Sequence, residues 1–336
     1  MDDPHTPEPC GRPERSAVQR ISCPGMSDEI LLRHDLEARG ITAGEIRSRV
    51  RSGSLVRVRR GAYAPTADPE PDDASDAVRR HRLMLDATVL QLSPEWVVSH
   101  MSAALLHGLP TWNDQLARVQ LTRGRPGGGK TRPDVLVRGL PLEADQIVHL
   151  AGRKVTALPR TVLDLACLLP LTRSVAVGDA ALRLGLDRIQ LESVVADGAR
   201  RTGIGRARIA SGMLDMRSES PGESASRVIF QLRGLPAPDL QYEVYAADGR
   251  LVGRCDAAWP ELRTLGEFDG RTKYGRLLRP GQRSEDVVYA EKLREDALRE
   301  LGWEVVRWTW ADLRNSDELV RRIERAFERG RRHLGR

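Results

Sequence analysis

Apolar positions along this chain recur in three blocks, each with its own periodicity. In the first, Leu31, Leu32, Leu36 and Ala38 mark a helix that Gly40 ends. Thr42, with Glu45 three residues on, is a capping box for a second helix, which turns Ile46 and Val50 inward and stops at Gly53. Leu55 to Tyr63 then alternates as a two-stranded wing. A Pro/Asp-rich linker, Thr66 to Asp73, leads to a second block that mixes α and β. Its pattern predicts a helix at 77–92, strands near 96–99, 117–122 and 135–138, and helices at 159–168, 174–184, 191–200 and 206–216. After a linker at 217–222, the third block reads helix, strand, strand, strand, helix, strand, helix. Its strands are predicted at 240–245, 250–258 and 263–269, with Asp248-Gly249 as a hairpin turn.

The implied fold class is α+β multidomain. It comprises an N-terminal winged helix-turn-helix (27–65), a mixed α/β middle domain (74–216) and a C-terminal restriction-endonuclease-like α/β domain (218–336). Residues 1–26, polar and Pro-rich, are expected to be a disordered leader or a mis-assigned start. At 336 residues the chain is longer than one compact domain usually is. A hydrophobic content of 40% excludes a wholly disordered chain. No apolar run is long enough for a membrane helix, and the N-terminus has no signal-peptide core, so a cytoplasmic protein is expected. Cys10, Cys23, Cys167 and Cys255 form neither a C-x-x-C pair nor a disulfide framework.

Charge changes the picture only where it clusters. The net charge is +6. Leu31 to Tyr63 holds eight arginines against three acids, which nearly accounts for that excess. A phosphate-binding surface needs such clustering, because each phosphate contact releases counterions. The second helix of a helix-turn-helix enters the major groove. Arg47, Arg49 and Arg51 on that helix and Arg57, Arg59 and Arg60 on the wing are therefore the candidate DNA contacts. The competing view is a protein-interaction winged helix with solvated arginines.

The segment Gly53-Ser54-Leu55-Val56-Arg57-Val58-Arg59-Arg60-Gly61-Ala62-Tyr63 resembles the N-terminal winged helix of the AbiEi family, antitoxins of type IV toxin–antitoxin systems. The likeness continues weakly through Ser99 to Pro110, Val155-Thr156 and Arg160 to Asp164. The resemblance implies a DNA-binding repressor with a toxin partner, a nucleotidyltransferase.

Gly124-Arg125-Pro126-Gly127-Gly128-Gly129-Lys130-Thr131 satisfies the phosphate-loop pattern letter for letter. That loop works by feeding a helix whose N–H groups face the phosphates. Here a strand-like segment follows, so a basic hairpin tip without a nucleotide is expected. His100 and His107 are seven apart, which does not suit a metal pair on a helix. Arg160 and Asp164, four apart, are expected to form a solvated ion pair.

The third block carries the strongest candidate chemistry. Glu223 opens its first helix, three residues after Ser220, so a capping box also explains it. Asp256 lies on the second strand, on a face with Arg254 and Ala258, and in the natural register it can approach Glu267. Glu267 and Asp269 share a face of the third with Leu265. Converging carboxylates at a sheet end make a hard-oxygen site for Mg²⁺ or Mn²⁺, which can activate water against a phosphodiester. This order resembles the PD-(D/E)xK nuclease superfamily, in particular its very-short-patch-repair-like branch. The resemblance implies metal ligands at Asp256, Glu267 and Asp269, with Glu223 in support. The lysine of that motif belongs where Asp269 stands. Lys273 or Lys292 would then supply the amine; otherwise the domain binds DNA without cutting it. Two functions follow: a Mg²⁺-dependent nuclease delivered by its winged helix, or an AbiEi-like regulator whose nuclease fold is inactive.

Overall fold

The capping box expected at Thr42 is formed: its hydroxyl accepts from Glu45 N at 3.2 Å, and the Glu45 carboxylate accepts from Thr42 N at 2.8 Å. It starts α2 (Ala43–Arg51), which follows the short α1 (Arg33–Ala38). The structure is a computed structural model, and it describes residues 30–67, 72–92, 95–125, 127–270 and 284–334. The leader and Lys273 lie outside the described residues.

Leu31–Leu32 is not the start of α1. It forms strand β1, paired with Ala62 and Tyr63 of β3 (Ala62–Pro65), while β2 (Leu55–Arg59) lies on the other side of β3. Pairing wins over helical spacing because it buries Leu32 against Ala62 and Ala87. Ala87 belongs to α3 (Asp73–Gln91), so the first block leans on the helix that opens the second.

The middle block holds a six-stranded sheet in the order β6-β7-β5-β4-β9-β8. Its strands are β4 (Trp96–Val98), β5 (Val119–Arg123), β6 (Lys130–Thr131), β7 (Val135–Gly139), β8 (Ile147–Leu150) and β9 (Arg153–Thr156). The β8–β9 hairpin was not among the elements that periodicity predicts. Its short strands carry His149, Arg153 and Lys154, which hide the apolar alternation. Leu85 of α3 and Ala103 of α4 (His100–His107) pack with Val98, Val119, Leu121 and Val155 of this sheet. Beyond it, α5 (Leu158–Ala166), α6 (Leu171–Arg183), α7 (Arg188–Asp197) and α8 (Ile204–Gly212) enclose a second core around Val175, Val177, Ala181 and Leu191.

The C-terminal sheet has the order β10-β11-β12-β13. It comprises β10 (Asp239–Tyr245), β11 (Leu251–Trp259), β12 (Thr264–Phe268) and β13 (Glu304–Trp308). The β12–β13 pair is parallel, so it needs a crossover, and α10 (Ser284–Glu300) lies in it. One sheet face packs Trp308 and Phe268 against α9 (Pro221–Leu232), α11 (Trp310–Arg314) and α12 (Ser316–Leu334). The other packs Cys255 and Leu265 against Leu298 of α10.

The expected linker at 217–222 is a packed joint. Ser218 is buried, and α9 serves two cores: Val228 joins the helical core of the middle block, whereas Ala225 and Phe230 join the C-terminal core. A methyl group on Gly222, in the first turn of α9, would collide with the Phe268 ring, so only glycine allows this approach.

Candidate nucleic-acid interface and carboxylate cluster

On α2, Arg47, Arg49 and Arg51 are exposed, and the buried Ile46 fixes which side faces solvent. Arg57 and Arg60 on the wing are also exposed. Arg59 is not: only 9% of its side chain is accessible, and its Nε lies 2.9 Å from Asp134 Oδ2. The cause is a register shift in β2, where Arg57 pairs with Tyr63 but Arg59 with Ala62. That bulge breaks the alternation that would have kept Arg57 and Arg59 on one face. Arg59 ties the wing to the middle block instead of pointing outward with Arg57.

The segment resembling a phosphate loop runs from β5 into strand β6, which pairs with β7. No helix begins at Lys130-Thr131, so the helix N-terminus that such loops use is missing there.

In the C-terminal block, Glu223, Asp256, Glu267 and Asp269 form no group of three or more that could hold a metal ion. Glu223 Oε2 accepts from Glu219 N at 2.8 Å and from Gln241 Nε2 at 2.9 Å. Ser220 Oγ accepts from Glu223 N, giving half of a capping box. Asp256 Oδ2 accepts from Phe268 N at 2.7 Å, beyond the last β11–β12 pair, Ala257–Gly266. Gln241, opposite Asp256, has φ +56, and the β10–β11 ladder skips that pair. Cys255 and Ala258 pack on one face and Ala257 and Trp259 on the other, so strict alternation breaks between Cys255 and Ala257, beside Asp256. Asp269 lies one residue past β12, where its N–H donates to Trp308 O.

Glu267 does lie on the Leu265 side, against α10, and there it meets arginines. Arg294 Nη2 is 2.7 Å from Oε1, and Arg307 Nε is 2.9 Å from Oε2. Glu291 bridges the same two guanidiniums, and Glu295 Oε2 is 3.0 Å from Arg307 Nη2. The hydrogen bond from Arg294, with Arg307 nearby, holds the Glu291 carboxyl below its usual range. Glu291 in turn raises the pKa of Arg294 further above neutral. The Cys255 thiol donates to Glu267 Oε1 at 3.4 Å, and burial, reinforced by Glu267, pushes it up to about 12. It is therefore an inert neutral thiol.

Both oxygens of Glu267 are thus matched to fixed cations, and one oxygen of Asp256 to a backbone donor. A divalent ion would have to displace two guanidiniums. The residues as arranged do not fit a Mg²⁺ centre, and no group of three or more His, Cys, Asp or Glu among the described residues could hold a metal ion. The sequence did not single out Cys255 or Arg307. In the sequence Arg294 belongs to the Glu291–Asp296 charge run, which reads as a solvated helix face or, with Lys292, as the lining of a DNA cleft.

Asp164 shows the largest departure. The expected solvated pair with Arg160 is buried: 5% of the Arg160 side chain and none of Asp164 is accessible. Asp164 Oδ1 accepts from Arg160 Nε at 2.9 Å and from Arg201 Nη2. His100 is likewise buried, its Nδ1 2.9 Å from Ser99 Oγ and 4.0 Å from Asp164 Oδ2. Tertiary packing, not i to i+4 spacing, decides this pair.

A helix-turn-helix with an arginine-bearing second helix and a hairpin wing defines a DNA-binding type of module. Residues 27–66 match the family described as "Transcriptional regulator, AbiEi antitoxin". The chain belongs to the family of "Uncharacterized protein Rv2248" from Mycobacterium tuberculosis strain H37Rv. The two are 31% identical over 293 residues, which is 87% of this chain and 99% of that protein. "Uncharacterized protein MT2308" from strain CDC 1551 matches to the same extent. Among solved structures, the RV2827C protein from Mycobacterium tuberculosis aligns with a TM-score of 0.37 and 17% identity, covering 65% of this chain and 84% of that one. Among the described residues no helix is long and apolar enough to cross a membrane.

Proposed function

We propose that this protein is a DNA-binding transcriptional regulator of the AbiEi antitoxin type, with a toxin protein as its second partner. The observation that carries this reading is the match of residues 27–66 to that regulator family, on the segment where Arg47, Arg49 and Arg51 line the open side of α2. α2 enters the major groove, and Arg57 and Arg60 reach flanking phosphates. The C-terminal domain acts as a binding platform and not as a phosphodiesterase, because Glu267 is committed to Arg294 and Arg307.

The test is a mobility shift with the protein's own upstream DNA and with unrelated DNA, across a salt series, with and without Mg²⁺. Binding that favours the upstream DNA and weakens as salt rises, with no cleaved product, is the expected result. Failure to retain either DNA at low salt, or Mg²⁺-dependent cleavage abolished by Glu267→Ala, would overturn it.

A further inference from the structure

The middle block contains a cleft of ≈ 660 Å³ that DNA binding does not use. It opens between the end of β7, α5 and the α7–α8 connection, and its floor is the Asp164 cluster. Three guanidiniums, from Arg138, Arg160 and Arg201, surround the one carboxylate of Asp164. Arg138 donates to the neutral Gln120 Oε1, at 3.3 Å. Glu143, Asp197 and Arg200 line the cleft at its exposed rim. The floor therefore carries a cationic excess.

Two floor atoms are also unsatisfied. Asp164 Oδ2 is buried without a hydrogen-bond donor, and Arg201 Nη1 is buried without an acceptor. An orphan buried polar group costs about 1–3 kcal/mol, and folded proteins tolerate few of them. His100, on the same wall, holds φ +53, a left-handed backbone conformation that an L residue keeps only under constraint. The missing partner must accept from Arg201 and donate to Asp164, and Arg138, which lines the same cleft and feels the Asp164 charge, can donate to it as well.

We propose that this cleft binds a small organic anion that carries a hydroxyl or amino donor beside its charged group. Its anionic oxygens complete Arg138 and Arg201, and its donor completes Asp164 Oδ2. Leu163 and Val194 supply an apolar wall for its carbon skeleton. The volume lies in the usual range for small-ligand pockets, roughly 300–1,000 Å³. Asp164 and Arg160 are almost wholly buried at the floor, which suits a small molecule better than a duplex backbone. Phosphate monoesters and hydroxy-carboxylates share this chemistry.

The experiment titrates the intact chain, by calorimetry and thermal unfolding, with inorganic phosphate, ribose 5-phosphate, guanosine monophosphate and citrate. At least one organic probe is expected to bind with a Kd of about 1 mM or tighter and to raise Tm, as a native-state ligand does. Preference for the phosphate esters or for citrate identifies the source of the anion. Arg138→Gln should weaken binding by about tenfold or more, because a charge-assisted hydrogen bond is removed. The exposed Arg208→Gln should not. Should Arg138→Gln fail to fold, Arg138→Lys, which keeps the charge and removes the fork, is expected to give a smaller effect. The proposal is overturned if none of the organic probes binds, or if the Arg138 variant that folds binds as the wild type does.

Discussion

The guanidinium of Arg227 on α9 lies 2.7 Å from Asp179 Oδ2 on α6, and Asp179 is fully buried. Its other oxygen accepts from Asp215 N at 2.7 Å. Burial lifts the Asp179 carboxyl above its usual range even though Arg227 opposes the shift. This pair sits where the helical core meets the C-terminal block, so it couples the two. Arg227→Ala would strand a buried charge and should cost about 3–5 kcal/mol. By contrast, Arg254→Ala breaks the half-exposed pair with Glu219 and should cost less than about 1 kcal/mol. Urea unfolding of the two variants measures both; equal destabilisation would mean that the joint does not depend on this pair.

The arginines of the first block should separate into two kinds. Arg47→Ala or Arg51→Ala should weaken DNA binding and lower the salt slope by about 0.9 for each phosphate that is no longer neutralised. Arg59→Ala should leave that slope alone and lower thermal stability, because Arg59 faces Asp134 at 2.9 Å. Mobility shifts at several salt concentrations, together with melting curves, check this. A slope change in Arg59→Ala would return that residue to the DNA surface.

Glu267 should behave as a structural anchor. Removing it leaves Arg294 and Arg307 with Glu291 as the one carboxylate that bridges both among the described residues. Glu267→Ala should cost about 1–3 kcal/mol, the usual range for a partly buried hydrogen-bonded charge. Millimolar Mg²⁺ should leave the wild-type melting temperature unchanged. A Mg²⁺-induced rise that vanishes in Glu267→Ala would restore the metal site.

Acid should weaken the protein through His100. Burial, with Arg138, Arg201 and Arg160 adding to it and Asp164 opposing it, lowers this imidazole to about 3. The folded state keeps His100 neutral, while the unfolded chain takes up a proton near pH 6.5. Between those values the unfolded state binds more protons, so stability falls as pH drops from about 6.5 toward 3, by about 1.4 kcal/mol per pH unit for one such group. His81 and His107, also lowered chiefly by burial, add to the slope. His100→Gln should reduce the slope of unfolding free energy against pH in this window. An unaltered slope would mean that His100 does not control it.

Gly222→Ala tests the joint sterically. Its methyl must displace the Phe268 ring, which lies in the C-terminal core. Overpacking of this kind typically costs about 1–3 kcal/mol. Differential scanning calorimetry would show it as a lowered Tm. Gly212→Ala, with open space around it, should melt as the wild type does.

The sequence by itself determined the local features. Thr42 and Glu45 start α2 because both capping partners lie within one turn. The α2 arginines face outward because Ile46 defines the inner side of a short helix. Apart from the short α11, the order of strands and helices in the C-terminal block, and the turn at Asp248-Gly249, were legible for the same reason: each depends on neighbours in the chain. Tertiary structure decided what depends on distant partners. The bulge at Val58 turned Arg59 to Asp134, and Phe268 N, 12 residues on, claimed one oxygen of Asp256. Arg294 and Arg307, which are 27 and 40 residues from Glu267, claimed its carboxylate. Arg201, 37 residues from Asp164, helped turn a helix-face ion pair into the floor of a cleft. Periodicity can assign a side chain to a face. It carries no record of which charge the fold brings opposite, and that charge decides whether a carboxylate is free to bind a metal or is already neutralised.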